Sequence, residues 1–164
     1  MPDNELTMRP ATEADVPLLL DFIRAIAEYE KLLHEVVATE AGLRSSFFGE
    51  GAVAESVIAE LDGEPAAFAV FFHNFSTFKG RRGLYLEDLF VKPEFRRLGI
   101  GKKLLVHLAR IAVERDCARF EWVALDWNEP ANKFYGELGA EIMDDWRIFR
   151  MSGEAMKKLA GQSG

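Results

Sequence analysis

Leu84-Tyr85-Leu86-Glu87-Asp88-Leu89-Phe90-Val91, followed shortly by Arg96-Arg97-Leu98-Gly99-Ile100-Gly101, is the stretch whose reading decides the fold. The first run is rich in aromatic and branched residues between polar ones, and predicts a strand. After the second, Lys102 to Arg115 carries Leu104, Leu105, Leu108, Ile111 and Ala112 at helical spacing. A strand, a glycine-bearing turn and a helix leave free backbone N–H groups at a helix N-terminus. The helix dipole adds to their pull on an anion. Glycines there let a phosphate approach the backbone. The turn is not a Walker A loop, since no Gly-Lys-Ser/Thr follows. Nor is it G-x-G-x-x-G. A tight turn with glycines for geometry alone stays open on this stretch by itself.

Downstream runs Trp127-Asn128-Glu129-Pro130-Ala131-Asn132-Lys133-Phe134-Tyr135-Gly136-Glu137-Leu138-Gly139-Ala140. Asn128 suits an N-cap, Pro130 a first helical turn and Gly139 the C′ position. Asn128 and Tyr135, about two turns apart, lie on nearly one helix face. A capped surface helix with a packed Tyr is the alternative.

At 164 residues the chain reads as one domain, 6–160, able to bury about two thirds of its unfolded surface. Composition is that of a globular protein, 49% hydrophobic and 29% charged. Net charge is −7, which argues against nucleic acid as a partner and is compatible with a cationic small molecule. The single cysteine, Cys117, excludes a disulfide framework or a cysteine metal site within one chain; no metal ligand set is expected. One cysteine and an N-terminus without leader character suggest a cytoplasmic protein. No apolar run approaches about 18 residues, so no membrane association is expected.

Leu6 to Arg9 predicts a first strand. A helix carrying Val16, Leu19, Leu20, Ile23, Ile26 and Ala27 follows, capped by Thr12 or Asp15, with Pro17 in its first turn. A second helix is expected over Thr39 to Phe48. Glu55 to Leu61 and Ala66 to His73 predict strands joined at Asp62-Gly63, a hairpin signal. His73 to Arg82 reads as a loop, and Arg119 to Leu125 as a further strand. Glu141 to Asp144 and Trp146 to Met151 are expected to form a final hairpin or bent strand. Ser152 would cap a last helix, Glu154 to Ala160. The order is α/β on a mixed sheet.

Arg-x-x-Gly-x-Gly resembles the pyrophosphate-binding motif of GNAT-superfamily N-acetyltransferases, and the Asn128 helix occupies the matching later position. Within that superfamily the chain is similar to the spermidine/spermine (diamine) and thialysine N-acetyltransferases. The shared words are Arg9-Pro10-Ala11-Thr12, Tyr29-Glu30, Tyr85-Leu86-Glu87-Asp88, Phe90-Val91, Gly99-Ile100-Gly101, Trp127-Asn128-Glu129-Pro130, Phe134-Tyr135 and Trp146-Arg147. The resemblance implies a largely antiparallel GNAT-type sheet flanked by helices, with a splayed central strand pair. It implies a homodimer and acetyl-CoA as co-substrate. The acceptor would be a primary amine of a small cation, such as a polyamine, a diamine or a thialysine-like amino acid. An acetyltransferase for another amine or a protein lysine, and a non-catalytic acyl-CoA-binding module, are the alternatives.

The resemblance also distributes roles. Arg96, Arg97, Leu98, Gly99, Ile100 and Lys102, with Gly101, would hold the pyrophosphate, and Leu89, Phe90 and Val91 the pantetheine. Asn128, Glu129, Pro130, Ala131 and Tyr135 would add cofactor contacts. Glu87 is the candidate base; on simple alternation it shares a sheet face with Tyr85 and Leu89, and a salt bridge to a nearby Arg is its alternative. Asp88 would face the other way unless the strand bulges. Tyr135 is the candidate acid for the leaving thiolate. Tyr29, Glu30, Glu87, Asp88, Glu121, Trp122, Asp144 and Trp146 are candidate acceptor contacts. Extra cations at Lys79, Arg81 and Arg82 weigh against a long polyamine.

Overall fold

Strands β1 (Leu6–Pro10), β2 (Glu55–Leu61), β3 (Glu64–Ser76), β4 (Arg81–Val91) and β5 (Phe120–Trp122) form one sheet in that spatial order. The first three pairings are antiparallel; β4 and β5 run parallel. The computed structural model describes residues 4–163. The expectation of no N-terminal leader rests partly on residues 1–3, outside that range. Two compact units are present, one ending at Val123 and one starting at Ala124.

In the first unit, helix α1 (Val16–Tyr29) covers one sheet face. Its buried Val16, Leu19, Leu20 and Phe22 share a core with Ile58, Phe68, Val70 and Phe90. The Phe22 and Phe68 rings stack at 4.6 Å. Burying each such side chain contributes roughly 1.5–3 kcal/mol. Helix α2 (Glu40–Phe48) is capped by Thr39, whose hydroxyl accepts from the Gly42 N–H at 3.1 Å. Helix α3 (Ile100–Glu114) packs against the opposite sheet face. A Cβ at Gly101 would touch Val91 and Leu89 at 3.8 and 3.9 Å.

The segment before α1 is anchored by charge. Arg9 bonds Asp15 through both terminal nitrogens, at 2.7 and 2.9 Å, and Glu60 through Nε at 2.5 Å. Asp15 also accepts from the Thr12 N–H at 2.7 Å. The Arg9 guanidinium outweighs partial burial and holds the Asp15 carboxyl at about 2.

Four expectations need correction. The loop expected over His73 to Arg82 is mostly ladder. Asn74 opposes Gly83, Phe75 opposes Arg82 and Ser76 opposes Arg81, so only 77–80 turn. Polar residues are tolerated because cross-strand pairing, not core burial, holds this end. The β5 strand is three residues rather than Arg119 to Leu125. The expected hairpin over Glu141 to Met151 does not form: no strand is found there, and Ile142, Trp146, Ile148 and Phe149 are exposed. Alternating apolar residues make a strand only where a neighbour accepts their backbone groups and covers one face. Finally, β4 does not alternate simply through Glu87.

The second unit holds α4 (Glu129–Glu137) and α5 (Gly153–Ala160). No described residue in it is fully buried.

Candidate active site

Strand β4 carries a bulge at Glu87. Leu86 opposes Phe71 and Asp88 opposes Val70, so Glu87 is an extra residue without an opposite number. Cross-strand partners share a sheet face. Asp88 therefore joins Val70, Phe90 and Tyr85 on the α1 face, while Leu89 lies on the α3 face. Simple alternation places Tyr85, Glu87 and Leu89 together; the bulge separates them. Glu87 is exposed and Asp88 half-buried. Burial first, then the charges of Glu87 and Glu30, push the Asp88 carboxyl up to about 6.

The end of α1 and the segment after β4 meet beside this point. Arg96 lays its guanidinium over the Tyr29 and Phe90 rings, 5.2 and 5.4 Å from their centroids. Its Nε donates to the Val91 carbonyl at 3.0 Å. Arg96 thus ties Tyr29 to β4 rather than facing the turn that follows it. A cavity of about 520 Å³ opens here, lined by Asp21, Phe22, Glu28, Tyr29, Lys92 and Arg96 among others. Asp21 and Lys92 went unnoticed in the sequence. The spacing of Asp21, Ala25 and Glu28 along one face of α1 was the available signal.

Arg97 and Gly99 both adopt left-handed backbone, with φ of 67° and 77°. Gly99 is the N-cap of α3 and offers no side-chain cap, so the first N–H groups of α3 stay available. Nothing lies within 4 Å of a Cβ built on Gly99. Arg97, Leu98 and Lys102 are exposed, while Ile100 is buried and anchors the turn. Such a turn is a nest for an anion, with two cations beside it. Gly101 meets only ordinary contacts, so packing alone does not demand a glycine there. These residues fit a pyrophosphate group.

The pairing of β4 with β5 stops at Leu86 and Trp122, although β4 continues to Val91. Among the described residues that side of β4 has no sheet neighbour beyond Leu86, because β5 itself ends at Trp122. Glu121, opposite Tyr85, shares the face of Asp88 but is engaged: Arg119 Nε lies at 2.6 Å and Asn74 donates at 3.0 Å. Trp122 opposes Leu86 and so lies on the other face, against Phe120. Glu30 is exposed at the end of α1.

The remaining candidates belong to the second unit. The Asn128 carboxamide caps α4, accepting from the Ala131 N–H at 3.4 Å, and Glu129 and Pro130 form the first turn. Tyr135 is half-buried on α4, next to Phe134, and burial pushes its phenol up. Asp144 and Trp146 are exposed. Among the described residues no group of His, Cys, Asp or Glu is placed to hold a metal, and no helix is long and apolar enough to cross a membrane.

A model of the acetyltransferase (GNAT) family matches residues 22–140. The chain is 39% identical to the thialysine N-epsilon-acetyltransferase of Bos taurus, over 94% of this chain and 97% of that one. It is 29% identical to the L-ornithine N5-acetyltransferase of Arabidopsis thaliana, over 93% and 86%. Among solved structures, an integron cassette protein from V. cholerae superposes with a TM-score of 0.79 at 28% identity, covering 96% of this chain and 98% of that one.

Proposed function

The chain belongs to the GNAT acetyltransferase family and is an N-acetyltransferase of amine acceptors; from that premise we propose that it moves an acetyl group from acetyl-CoA to the side-chain amine of a small basic acceptor. The observation that carries this reading is one strand with two features. The Glu87–Asp88 bulge sits on β4, and the open left-handed turn of Arg97 and Gly99 follows the strand's end.

Acetyl-CoA supplies an activated acyl group as a thioester. Arg97, Lys102 and the N–H groups of α3 hold its pyrophosphate. The unpaired side of β4 from Glu87 to Val91 offers backbone groups to the pantetheine. A free alkylamine has a pKa of about 10 and arrives as an ammonium, which cannot attack. The Glu87–Asp88 pair attracts that cation and removes its proton. Tyr135 returns a proton to the departing thiolate. Tyr29 and Glu30 flank the acceptor at the end of α1. Thialysine and ornithine, named in two relatives, are amino acids with a terminal amine. The mixed lining of the cavity, Asp21 and Glu28 with Lys92 and Arg96, suits such zwitterions better than a polyamine.

The test is thiol release from acetyl-CoA against thialysine, ornithine, lysine, putrescine and spermidine. Transfer to the first three with little to the last two is expected. Turnover confined to polyamines would overturn the acceptor assignment. Acetyl-CoA binding without turnover on any amine would leave a non-catalytic module.

A further inference from the structure

We infer that the cavity between α1 and the end of β4 reads the amino-acid head of the acceptor, with Lys92 binding its α-carboxylate and Asp21 its α-ammonium. The enzyme thereby selects the side-chain amine of a free amino acid and turns away diamines of the same length. The inference rests on the acetyl-transfer reading above and deepens it, by assigning the residues that choose the acceptor.

Shape is the first ground. The cavity runs along α1 from Tyr29 and Arg96 at one end to Phe22 and Lys92 at the other. From Phe22 to Tyr29 is roughly 10 Å along a helix axis. The bulge carboxylates Glu87 and Asp88 are not part of its wall. It begins beside the end of α1, where Glu30 follows Tyr29 and stands near enough for its charge to act on Asp88. An acceptor whose reacting amine lies at that end lays the rest of its length against α1. From side-chain nitrogen to α-carbon a lysine-like acceptor spans roughly 6 Å when extended. A polar contact at each end completes the distance between Glu30 and Asp21. Ala25, between them on the same stretch of wall, has no side chain beyond Cβ to block the way.

Charge is the second. Lys92 follows directly on β4 and is half-buried, its backbone N–H held by the Ala66 carbonyl at 2.9 Å. Its ammonium lies 5.6 Å from the centroid of the Phe22 ring and, among the described residues, has no ion pair. Asp21, next to Phe22 on α1, has none either. Two opposite charges that line one cavity without closing on each other match a group that carries both signs. Arg96, the other cation of the wall, is committed: its face lies on Tyr29 and Phe90, and its Nε donates to the Val91 carbonyl. Lys92 keeps three donors on a flexible stem, which suits a carboxylate whose reach differs between acceptors. A diamine brings a second ammonium to the same place. Asp21 attracts it, but Lys92 repels it, and that repulsion is the discriminating element. Glu28, nearer Tyr29, attracts either kind of acceptor and does not discriminate.

The experiment removes one group at a time from the acceptor and one from the cavity. With acetyl-CoA as donor, kcat/KM is measured for lysine and ornithine and for cadaverine and putrescine, which are the same molecules without the carboxylate. It is also measured for ε-aminohexanoate and δ-aminopentanoate, which lack the α-amine instead. Wild type is compared with Lys92→Gln, Lys92→Glu and Asp21→Asn, and acetyl-CoA affinity and Tm are measured alongside. A general loss of stability moves all acceptors alike and cancels in the ratios. Wild type should prefer each amino acid over its diamine by roughly five- to fifty-fold, between an exposed ion pair and a charge-assisted hydrogen bond. Lys92→Gln should bring that ratio close to one, mainly through the KM of the amino acid, and Lys92→Glu should invert it. Asp21→Asn should keep that ratio and shrink the preference for the amino acid over the acceptor without an α-amine. An unchanged amino-acid-to-diamine ratio in both Lys92 variants overturns the assignment while acetyl transfer stands. So does a wild type that uses diamines as well as amino acids. If wild type transfers acetyl to no amine, the acetyl-transfer reading falls with it.

Discussion

Arg97 stands in left-handed backbone, φ 67°, in the turn assigned to pyrophosphate. A non-glycine residue there costs roughly 1–2 kcal/mol. Replacing it with glycine removes that strain and adds about 0.5–1 kcal/mol of backbone entropy. Arg97→Gly should therefore be more stable than wild type by up to about 1 kcal/mol, a rise of roughly 2–4 °C in Tm for a chain this size. Arg97→Ala keeps the strain and loses only the exposed side chain, so its stability should stay within about 0.5 kcal/mol of wild type. Both variants lose the same charge. A cation about 5 Å from a phosphate is worth roughly 1–3 kcal/mol between bulk-water and surface screening, or about five- to 150-fold in affinity. Differential scanning fluorimetry gives the first quantity and calorimetric titration with CoA the second. The expected signature is two variants equally weak for CoA and separated in Tm, with glycine the higher. Arg97→Gly melting at or below Arg97→Ala would refute the strain argument; undiminished CoA affinity in both would remove Arg97 from the phosphate site.

Other outcomes follow from features already described. Gly99→Ala enters open space yet keeps a φ of 77°, so it should lose roughly 1–2 kcal/mol by chemical denaturation; a neutral result would mean the turn simply rearranges. Asp15→Asn should lose about 2 kcal/mol at neutral pH, because the folded carboxyl sits at about 2 against 3.8 unfolded. That stability is present above pH 4 and disappears as pH falls towards 2, so urea midpoints of variant and wild type should converge there. Phe22→Ala removes a ring stacked on Phe68 and should cost about 3–5 kcal/mol. Tyr135→Phe should lower kcat roughly ten- to a thousand-fold with acetyl-CoA affinity little changed; an unchanged kcat would make Tyr135 a packing residue.

Much of this was legible in the chain itself. Val16, Leu19, Leu20 and Ala27 declared α1 by spacing, and Asp62-Gly63 declared the β2–β3 turn, where both residues do take positive φ. Arg97 to Gly101 marked an open left-handed turn before α3, because glycine and cation placement are local properties. What escaped was non-local. The period-two rule cannot see a bulge, since the extra residue is defined only by the partner strand; Glu87 and Asp88 exchanged environments for that reason. Nor could it see that Glu121 is occupied by Arg119 and Asn74, or that Arg96 turns back onto Tyr29, because both depend on which elements meet. The apolar residues of Glu141 to Met151 satisfied the strand pattern without the neighbour a strand requires.

The β3–β4 hairpin has a consequence for how the chain reaches this state. It is the longest ladder in the sheet, and its strands are joined by a turn of only residues 77–80. Closing so short a loop is fast, whereas β1 must find β2 across both helices and β5 must wait for α3 to cross over. The hairpin is therefore the expected nucleus. Substitutions such as Phe71→Leu should slow refolding, while those at the β4–β5 pairing should mainly speed unfolding. Since the bulge lies inside the hairpin, the orientation of its two carboxylates would be fixed before the rest of the sheet exists. A slip in that first pairing would carry a misdirected acid pair into every later step.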